Sequence, residues 1–431
     1  MVTICAADDE NTLALNSHMD FIQLATLLRE DPDDCSCSKN KHKEARPPKQ
    51  TTLSLHRLEL DFNVSAEIVD KLHRWRQYDL VNCTGEHVDA LLSALFQHPN
   101  IDRVSLCSQP VDPVVVKALG EGLRKPHSIR ELSLKIDVSP ETARLLCRGI
   151  NQGSVLLQNL DLSQCDFAAE AIPVLCQELS ENQHLHSLKL INCRLEDEEA
   201  AEIVHALTYH PTLKELSLRM NYCDSIAYEA IATFLESNMS LERLDIAQQN
   251  PGVIDLAILS GSLELNTTLK SLDVCESYLK DTGMAAMANA LTVNETLEDL
   301  FLESCDIGDV GFGALMRNIP KMNGTHRHRL RFWMKENKFQ ANHDLVIKAT
   351  TLNHRLHVLD MQADQTNSDI QYQLALNRYG RGFLSNSHIS VGHWPAILAR
   401  LFESFEADET VHFSVHDIAF HLLHGPALLE R

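Results

Sequence analysis

A leucine pattern of constant period runs through the middle of the chain and limits the folds open to it. The motif L-x-x-L-x-L begins at Ile101 and recurs at positions 129, 157, 185, 213, 241, 269 and 297, an unbroken 28-residue period. A repeat of this length cannot bury its apolar face alone and must stack on its neighbours. The pattern therefore predicts a solenoid built from one strand-turn-helix unit per repeat.

Each repeat has a physical explanation within its own sequence. Leu160 and Leu162 alternate as on one face of a strand, and the period then changes to a helical one. A small polar residue such as Cys165 or Asn221 occupies the ninth position, where we expect it to bond the backbone of the turn. An asparagine also recurs near the end of four of the helices, where we predict left-handed backbone geometry. These asparagines are Asn182, Asn238, Asn266 and Asn294.

Weaker copies of the motif flank the regular block. Upstream we assign Leu55-Leu58-Leu60, followed by Asn63, and Trp75-Tyr78-Leu80, followed by Cys83. Downstream we assign Phe332 and Met334, followed by Asn337, and then Leu356-Leu359-Met361. One repeat is longer by a four-residue insertion, which we place near 323–326. Residues 52–365 thus form a predicted solenoid of about twelve repeats.

The repeat length and the pattern L-x-x-L-x-L-x-x-N/C resemble those of ribonuclease-inhibitor-like leucine-rich-repeat proteins, over roughly residues 53–364. The resemblance implies an α/β solenoid shaped as a horseshoe arc, with parallel strands on the concave face and helices on the convex face. It says little about activity. The class includes nuclease inhibitors, innate-immune sensor domains, actin-capping proteins and the activator of a nuclear-transport GTPase.

The two ends depart from the repeat. Residues 1–30 are interpreted as a helical cap, with an amphipathic helix over 11–30, and residues 31–51 as a disordered linker. Within the linker, a zinc site at Cys35, Cys37 and His42 and a nuclear import signal in the basic run 39–49 are alternatives to plain solvated chain. Residues 366–431 are predicted to form a helical cap module with helices over 369–377, 394–405 and 416–424. Short strings in this module resemble one that follows the repeats in some algal leucine-rich-repeat proteins.

Composition excludes several classes of partner. The formal net charge of −22 disfavours nucleic acid and anionic lipid, and no apolar run is long enough for a membrane-spanning helix. Acidic residues 8–10 stand where a secretory signal would be basic and then apolar, so the twelve cysteines are expected to be reduced thiols. We expect a cytoplasmic monomer, with the nucleus as an alternative location.

The sequence offers little support for chemistry. His412 with His416 and His421 with His424 have helical metal-ligand spacing, but no third ligand completes either pair. Cys107 lies at a strand position without a histidine to activate it, and so does Cys275. We therefore predict a protein that is not an enzyme and needs no cofactor.

The candidate binding surface consists of the third, fifth and seventh residues of each repeat, which point away from the buried leucines. The middle repeats are mixed to basic here, and later ones become acidic. Two large aromatic residues then occupy the fifth position of neighbouring repeats, as expected of a protein-binding hot spot. The alternative is that the C-terminal module covers them. The predicted partner-binding residues are Phe301, Trp333, Asp299, Glu303, Arg331, Lys335, Asp273, Asp245 and Arg243.

These features predict a protein–protein interaction scaffold that binds its partner on the concave strand face. Two alternatives remain. A GTPase-activating protein of the nuclear-transport kind shares the repeat class, although that family ends in a long acidic tail and this sequence ends Leu428-Leu429-Glu430-Arg431. The ligand-sensing fragment of a receptor is the other. A GTP hydrolysis assay with small GTPases separates the first alternative from the scaffold.

Overall fold

The structure is a computed structural model. It describes residues 12–16, 52–56, 62–70, 72–74, 76–84, 87–152, 156–249, 253–322, 329–362 and 368–378. The chain divides into two compact units after Tyr222.

The first unit alternates parallel strands with helices. Its strands follow chain order in the sheet except β7, which pairs beside the far end of β5. The strands are β1 (Thr12–Asn16), β2 (Thr52–His56), β3 (Gln77–Val81), β4 (Arg103–Ser108), β5 (Glu131–Val138), β6 (Asn159–Asp161), β7 (Asp166–Phe167), β8 (Ser187–Lys189) and β9 (Glu215–Ser217). The helices are α1 (Phe62–Asp70), α2 (Val88–Gln97), α3 (Pro113–Arg124), α4 (Pro140–Gln152), α5 (Ala171–Glu181) and α6 (Asp197–Leu207), with a 3-10 turn at Leu72–Arg74.

The second unit repeats the same architecture. Its strands are again parallel and adjacent in chain order. They are β10 (Arg243–Asp245), β11 (Ser271–Asp273), β12 (Asp299–Phe301), β13 (Leu330–Trp333) and β14 (Leu356–Asp360). The helices are α7 (Ser225–Ser237), α8 (Val253–Leu265), α9 (Lys280–Ala290), α10 (Asp309–Asn318), α11 (His343–Leu352) and α12 (Ser368–Leu376), with a 3-10 turn at Ile319–Lys321.

The repeated leucines form the core of both units. Leu188, Leu190, Leu216, Leu272 and Leu302, for example, are fully buried. Burying one such side chain stabilises the fold by about 1.5–3 kcal/mol, so the stabilisation recurs with every repeat. Parallel strands that alternate with helices over this core confirm the predicted α/β leucine-rich-repeat solenoid.

The ninth position works as predicted in the repeats where it is cysteine or asparagine. The Sγ atom of Cys165 donates to the Leu134 carbonyl at 3.2 Å, and that of Cys305 donates to the Val274 carbonyl at 3.1 Å. Asn221 does more, because its amide donates to the Leu190 carbonyl while its Oδ1 accepts the N–H of Cys193. These side chains satisfy the buried backbone of the turn that leaves the strand.

The prediction of left-handed geometry at the recurring asparagines is wrong. Asn182 and Asn238 have extended backbones, with φ of −73° and −80°. Their side chains act instead: the Asn182 Oδ1 accepts the N–H groups of His184 and Leu185, both at 2.9 Å. The left-handed residue is at the eighth position, as at Gln164 (φ 62°). There the chain turns off the strand, and the Gln164 N–H still donates to the next repeat at 2.8 Å.

Two predictions at the N-terminal end also need correction. Residues 12–16 form a strand and not part of a helix, because Leu13 and Leu15 pair in register with Leu53 and Leu55 of β2. The upstream copy of the motif is out of phase. The core pair of that repeat is Leu53 and Leu55, aligned with Tyr78 and Leu80, and α1 already begins at Phe62. Residues 17–51, with the predicted linker, lie outside the described residues.

The C-terminal end agrees with its predictions as far as the structure describes it. Helix α12 matches the predicted helix over 369–377, and Asn377 donates to the carbonyls of Thr350, Asn353 and Leu356. Asp299 pairs with Arg331 and not with Arg327, the partner in a repeat of ordinary length, which confirms the four-residue lengthening. Residues 323–326, where we placed the insertion, lie outside the described range, and so do the two later predicted helices.

Candidate functional site

The fifth positions of the second unit form one row across its sheet. Register pairs Asp245 with Asp273, Asp273 with Phe301, Phe301 with Trp333, and Trp333 with Asp360. The intervening residues Leu244, Leu272, Leu300, Phe332 and Leu359 are buried on the helical side. The row therefore lies on the opposite face of the sheet, which we call the strand face.

Phe301 and Trp333 stack on each other in the middle of this row. Their ring centroids are 4.3 Å apart with an interplanar angle of 11°, and both side chains are half-buried. The predicted contact between the two side chains is confirmed. Neighbouring strands are about 4.8 Å apart, close to the spacing of two stacked rings. Strand pairing thus preorganises an aromatic surface that keeps part of its area in solvent.

Arg331 contacts both the aromatic pair and the carboxylate of Asp299 on the neighbouring strand. Its guanidinium forms an ion pair with Asp299 and lies 5.8 Å from the centre of the Trp333 ring. Burial raises the pKa of Asp299, although the charge of Arg331 opposes this change. Side chains held on two sides in this way keep a fixed charge pattern on the strand face.

Lys335 and Glu303 occupy the seventh positions on the other side of the aromatic pair. Lys335 Nζ contacts the carboxylate of Asp360 at 2.8 Å, and this hydrogen bond raises the pKa of Lys335. Asp360 was not among the residues predicted from the sequence. The sequence pattern could have identified it, because Asp360 is the fifth residue of the last assigned copy of the motif.

Asp245 and Asp273, the first two residues of the row, also accept hydrogen bonds from the backbone of their own repeats. One carboxylate oxygen of Asp245 accepts the N–H of Ala247 at 3.1 Å, and Asp273 accepts the N–H of Cys275 at 3.0 Å. Asp273 lies beside Phe301, whereas Asp245 lies two strands from it. Arg243 is exposed on β10, the strand that also carries Asp245. Of the predicted site residues, Arg243 and Asp245 are therefore at the margin.

His357 lies on β14, near Arg331 of the site. Burial lowers its pKa to about 4, and the charges of Arg329, Arg378 and Arg331 act in the same direction. Its imidazole is therefore neutral at pH 7 and adds no charge to the site.

The strand face of the first unit differs in chemistry. Its fifth positions are polar and include the small side chains of Ser105 and Ser133 as well as Asp161 and Lys189. Charged side chains pair across repeats, as Arg103 does with Glu131, and Lys189 with Glu215 at 3.9 Å. The outward strand positions that the structure describes in this unit offer polar contacts and include no Phe, Tyr or Trp.

The described part of the chain shows no arrangement that suggests catalysis. Within it, no group of three or more His, Cys, Asp or Glu side chains is placed to hold a metal ion. Cys275 is buried, its Sγ accepts the N–H of Glu303, and burial raises the pKa of the thiol. The C-terminal histidine pairs lie outside the described residues. No helix of the described residues is long and apolar enough to cross a membrane.

Comparison with known proteins agrees with the geometry. A family model described as a leucine-rich repeat matches residues 293–316, which include Phe301. Ribonuclease inhibitor of Mus musculus is 32% identical over 145 residues, covering 32% of each chain, and that of Sus scrofa is 30% identical over 139 residues, covering 31% of this chain and 30% of the relative. NACHT, LRR and PYD domains-containing protein 12 of Homo sapiens is 28% identical over 202 residues, which are 39% of this chain and 19% of the relative.

The chain thus matches about a third of the length of the ribonuclease inhibitors and about a fifth of the larger relative. The constant repeat period, the parallel sheet, the polar ninth position and these matches have one explanation in common. The chain is a leucine-rich-repeat solenoid and is similar to ribonuclease inhibitors over about a third of its length.

Proposed function

We propose that this protein is a non-enzymatic scaffold that binds another protein on the strand face of its second unit. The stacked pair of Phe301 and Trp333 carries the proposal, because it is half-exposed on an ordered sheet and enclosed by charged side chains. Aromatic anchors of this kind bury large area with little loss of side-chain entropy. The predicted site residues around them act as the polar rim.

The charged neighbours set the orientation of the partner more than its affinity. Asp299, Arg331 and Lys335 already have partners within the protein. Such preformed pairs steer and align an approaching surface, with smaller individual effects on affinity than the aromatic pair.

The relatives support binding as the general activity, since two of them are named as inhibitors of another protein. A second candidate follows from the larger relatives, whose names combine NACHT, LRR and PYD domains. In that case the same face would sense a ligand within a larger receptor. Buried thiols favour a reducing compartment, so we propose the cytosol as the place of action.

The test is capture of proteins from the source cell by the full chain and by the double variant Phe301→Ala/Trp333→Ala. We expect at least one protein to be retained by the wild type and lost with the double variant, because loss of such anchors costs about 2 kcal/mol or more. Quantitative mass spectrometry identifies it, and its affinity is then measured with the purified partner.

The matched control is Ser133→Ala/Ser217→Ala, at the same strand position of the first unit, which should change capture little. Circular dichroism melting of all three proteins checks the fold. The proposal is wrong if the aromatic double variant melts at a lower temperature and still retains every partner, since the rings would then belong to the core.

A further inference from the structure

We infer that the strand face of the first unit is a second docking surface, which binds an extended peptide segment with two basic side chains four residues apart. The inference is independent of the aromatic pair in the second unit. It starts from a cavity of about 520 Å³ on this face, which reaches across the sheet from Asp79 on β3 to Glu215 on β9. A cavity of this volume is large enough to take up side chains of a partner.

The fifth positions of four consecutive strands form one end of this cavity. Strand register aligns Asp79 of β3 with Ser105 of β4, Ser105 with Ser133 of β5, and Ser133 with Asp161 of β6. All four residues line the cavity. The two serines have short side chains, so the row consists of a carboxylate at each end and open space over its centre.

The basic side chains of the cavity are bound to glutamates. Arg103 forms an ion pair with Glu131, and the Nζ atom of Lys189 lies 3.9 Å from the carboxylate of Glu215. Lys135, at the seventh position of β5, donates to the side-chain oxygen of a glutamine. The cavity lining contains four carboxylates and two basic side chains, so its negative charge exceeds its positive charge.

The two aspartates of the row bind only uncharged groups. The Oδ2 atom of Asp79 accepts the hydroxyl of Ser54 at 2.9 Å, and the Oδ1 atom of Asp161 accepts the N–H of Ser163 at 2.9 Å. Among the residues that the structure describes, neither aspartate takes part in an ion pair. A basic side chain of a partner would form a charge-assisted hydrogen bond with each of them.

The spacing of the two aspartates determines the spacing of the cations. Neighbouring strands are about 4.8 Å apart, so Asp79 and Asp161, three strands apart, are separated by about 14 Å. An extended chain rises about 3.3 Å per residue and directs every second side chain to the same side, so residues i and i+4 lie about 13 Å apart on one side. A peptide laid across the strands can therefore place one basic side chain at each aspartate.

The test measures fluorescence anisotropy of two labelled, end-capped peptides with the full-length protein at low ionic strength. The peptide TKTVTKT carries its lysines four positions apart, whereas its isomer TKTVKTT carries them three apart, on opposite sides of an extended chain. Threonine and valine favour the extended form in both. We expect TKTVTKT to bind at least threefold more tightly than its isomer, which has the same composition and charge.

Asp79→Asn and Asp161→Asn should each weaken binding of TKTVTKT at least threefold and reduce the preference for it over the isomer. Both changes remove one negative charge and keep an acceptor oxygen. Asp112→Asn is the matched control, because the Oδ1 atom of Asp112 accepts the N–H of Val114 at 2.8 Å as the N-cap of α3, and Asp112 does not line the cavity. We expect this control to change the affinity by less than a factor of two.

Equal affinity for the two isomers, with equal weakening by all three aspartate variants, would show general attraction of cations to an acidic protein and overturn the inference. Absence of binding by either peptide would also overturn it, and so would full binding of TKTVTKT by the double variant Asp79→Asn/Asp161→Asn. The comparison of the isomers uses the wild-type protein, so it does not depend on the folding of any variant. Each variant is compared with the wild type by circular dichroism melting. These outcomes concern the first unit and leave the proposed function of the second unit to its own test.

Discussion

At the residue scale, one position before each strand shows how different side chains perform one task. Asn182 closes its turn by accepting two backbone N–H groups, and His210 occupies the equivalent place one repeat later. The His210 Nδ1 accepts the N–H groups of Thr212 and Leu213 at 3.4 and 3.2 Å. Its Nε2–H donates to the Oδ1 of Asn182 at 3.3 Å. An imidazole can do this only when it is neutral.

This requirement predicts an acid-sensitive turn. Burial, reinforced by His186 and His184, lowers the pKa of His210 from 6.5 to about 4. Between these values the unfolded chain binds a proton that the folded chain does not, so the free energy of unfolding falls as pH decreases from 6.5 to 4. At about 1.4 kcal/mol per pKa unit, the loss reaches about 3 kcal/mol.

We expect His210→Asn to remove that part of the pH dependence, because asparagine makes the same turn without titrating. Urea unfolding at pH 7 and pH 4.5 measures the difference. His205→Asn, at an exposed site in the same repeat, should retain the wild-type pH dependence. Equal pH dependence in the His210 variant and the wild type would contradict the prediction.

At the element scale, a carboxylate from one repeat caps the helix of the next. The Oδ1 of Asp281 in α9 accepts the N–H groups of Gly308 and Gly311, both at 2.8 Å, where α10 begins. Negative charge is favourable at the N-terminus of a helix. The close approach depends on glycine, because a Cβ atom on Gly311 would lie 2.8 Å from that oxygen and 2.9 Å from the Asp281 Cα.

Two glycines of α10 should therefore respond oppositely to alanine. Gly311→Ala must displace backbone, and we expect it to lower the free energy of unfolding by about 1–3 kcal/mol despite the better helix propensity of alanine. At Gly313 the nearest atom to a new Cβ is the Arg317 guanidinium, at 3.0 Å, which can move aside. Gly313→Ala should be neutral or stabilise by up to about 1 kcal/mol. Chemical unfolding measures the free energy of unfolding of both variants. Equal losses of this free energy would contradict the capping of α10 by Asp281.

At the scale of the whole molecule, cysteines serve the repeat as buried donors. Cys83, Cys165, Cys193 and Cys305 each donate to a backbone carbonyl of the preceding repeat. Burial raises the pKa of the last three to about 12, so little thiolate forms at neutral pH. All cysteines in the described part of the chain are free thiols.

Thiol reactivity should thus report the integrity of the repeats. In the folded protein at pH 8, we expect buried thiols to react with an aromatic disulfide reagent far more slowly than they do in denaturant. Protein purified with a thiol-blocking control and then unfolded should yield nearly all twelve thiols. Several native disulfides would contradict both this prediction and the proposed cytosolic location.

The sequence alone determined the repeat and most of what it holds together. The constant period of the leucines identified the parallel sheet, the buried core and the bonding residue at the ninth position. It also identified the contact of Phe301 with Trp333, because equal positions in adjacent repeats become neighbours by strand pairing. In a regular stack of repeats, residues at equal positions of adjacent repeats become neighbours in space. The repeat pattern was therefore sufficient to predict these contacts.

Tertiary structure alone decided the features that depend on a specific neighbour. The period did not show that residues 12–16 add a strand to β2, since an edge strand is selected by the hydrogen bonds that the edge offers. It placed left-handed geometry at the wrong residue, because the turn is closed by bonds to the next repeat. The pairing of Arg331 with Asp299 and of Lys335 with Asp360 likewise depends on side chains of different repeats meeting across strands, which composition and period do not specify.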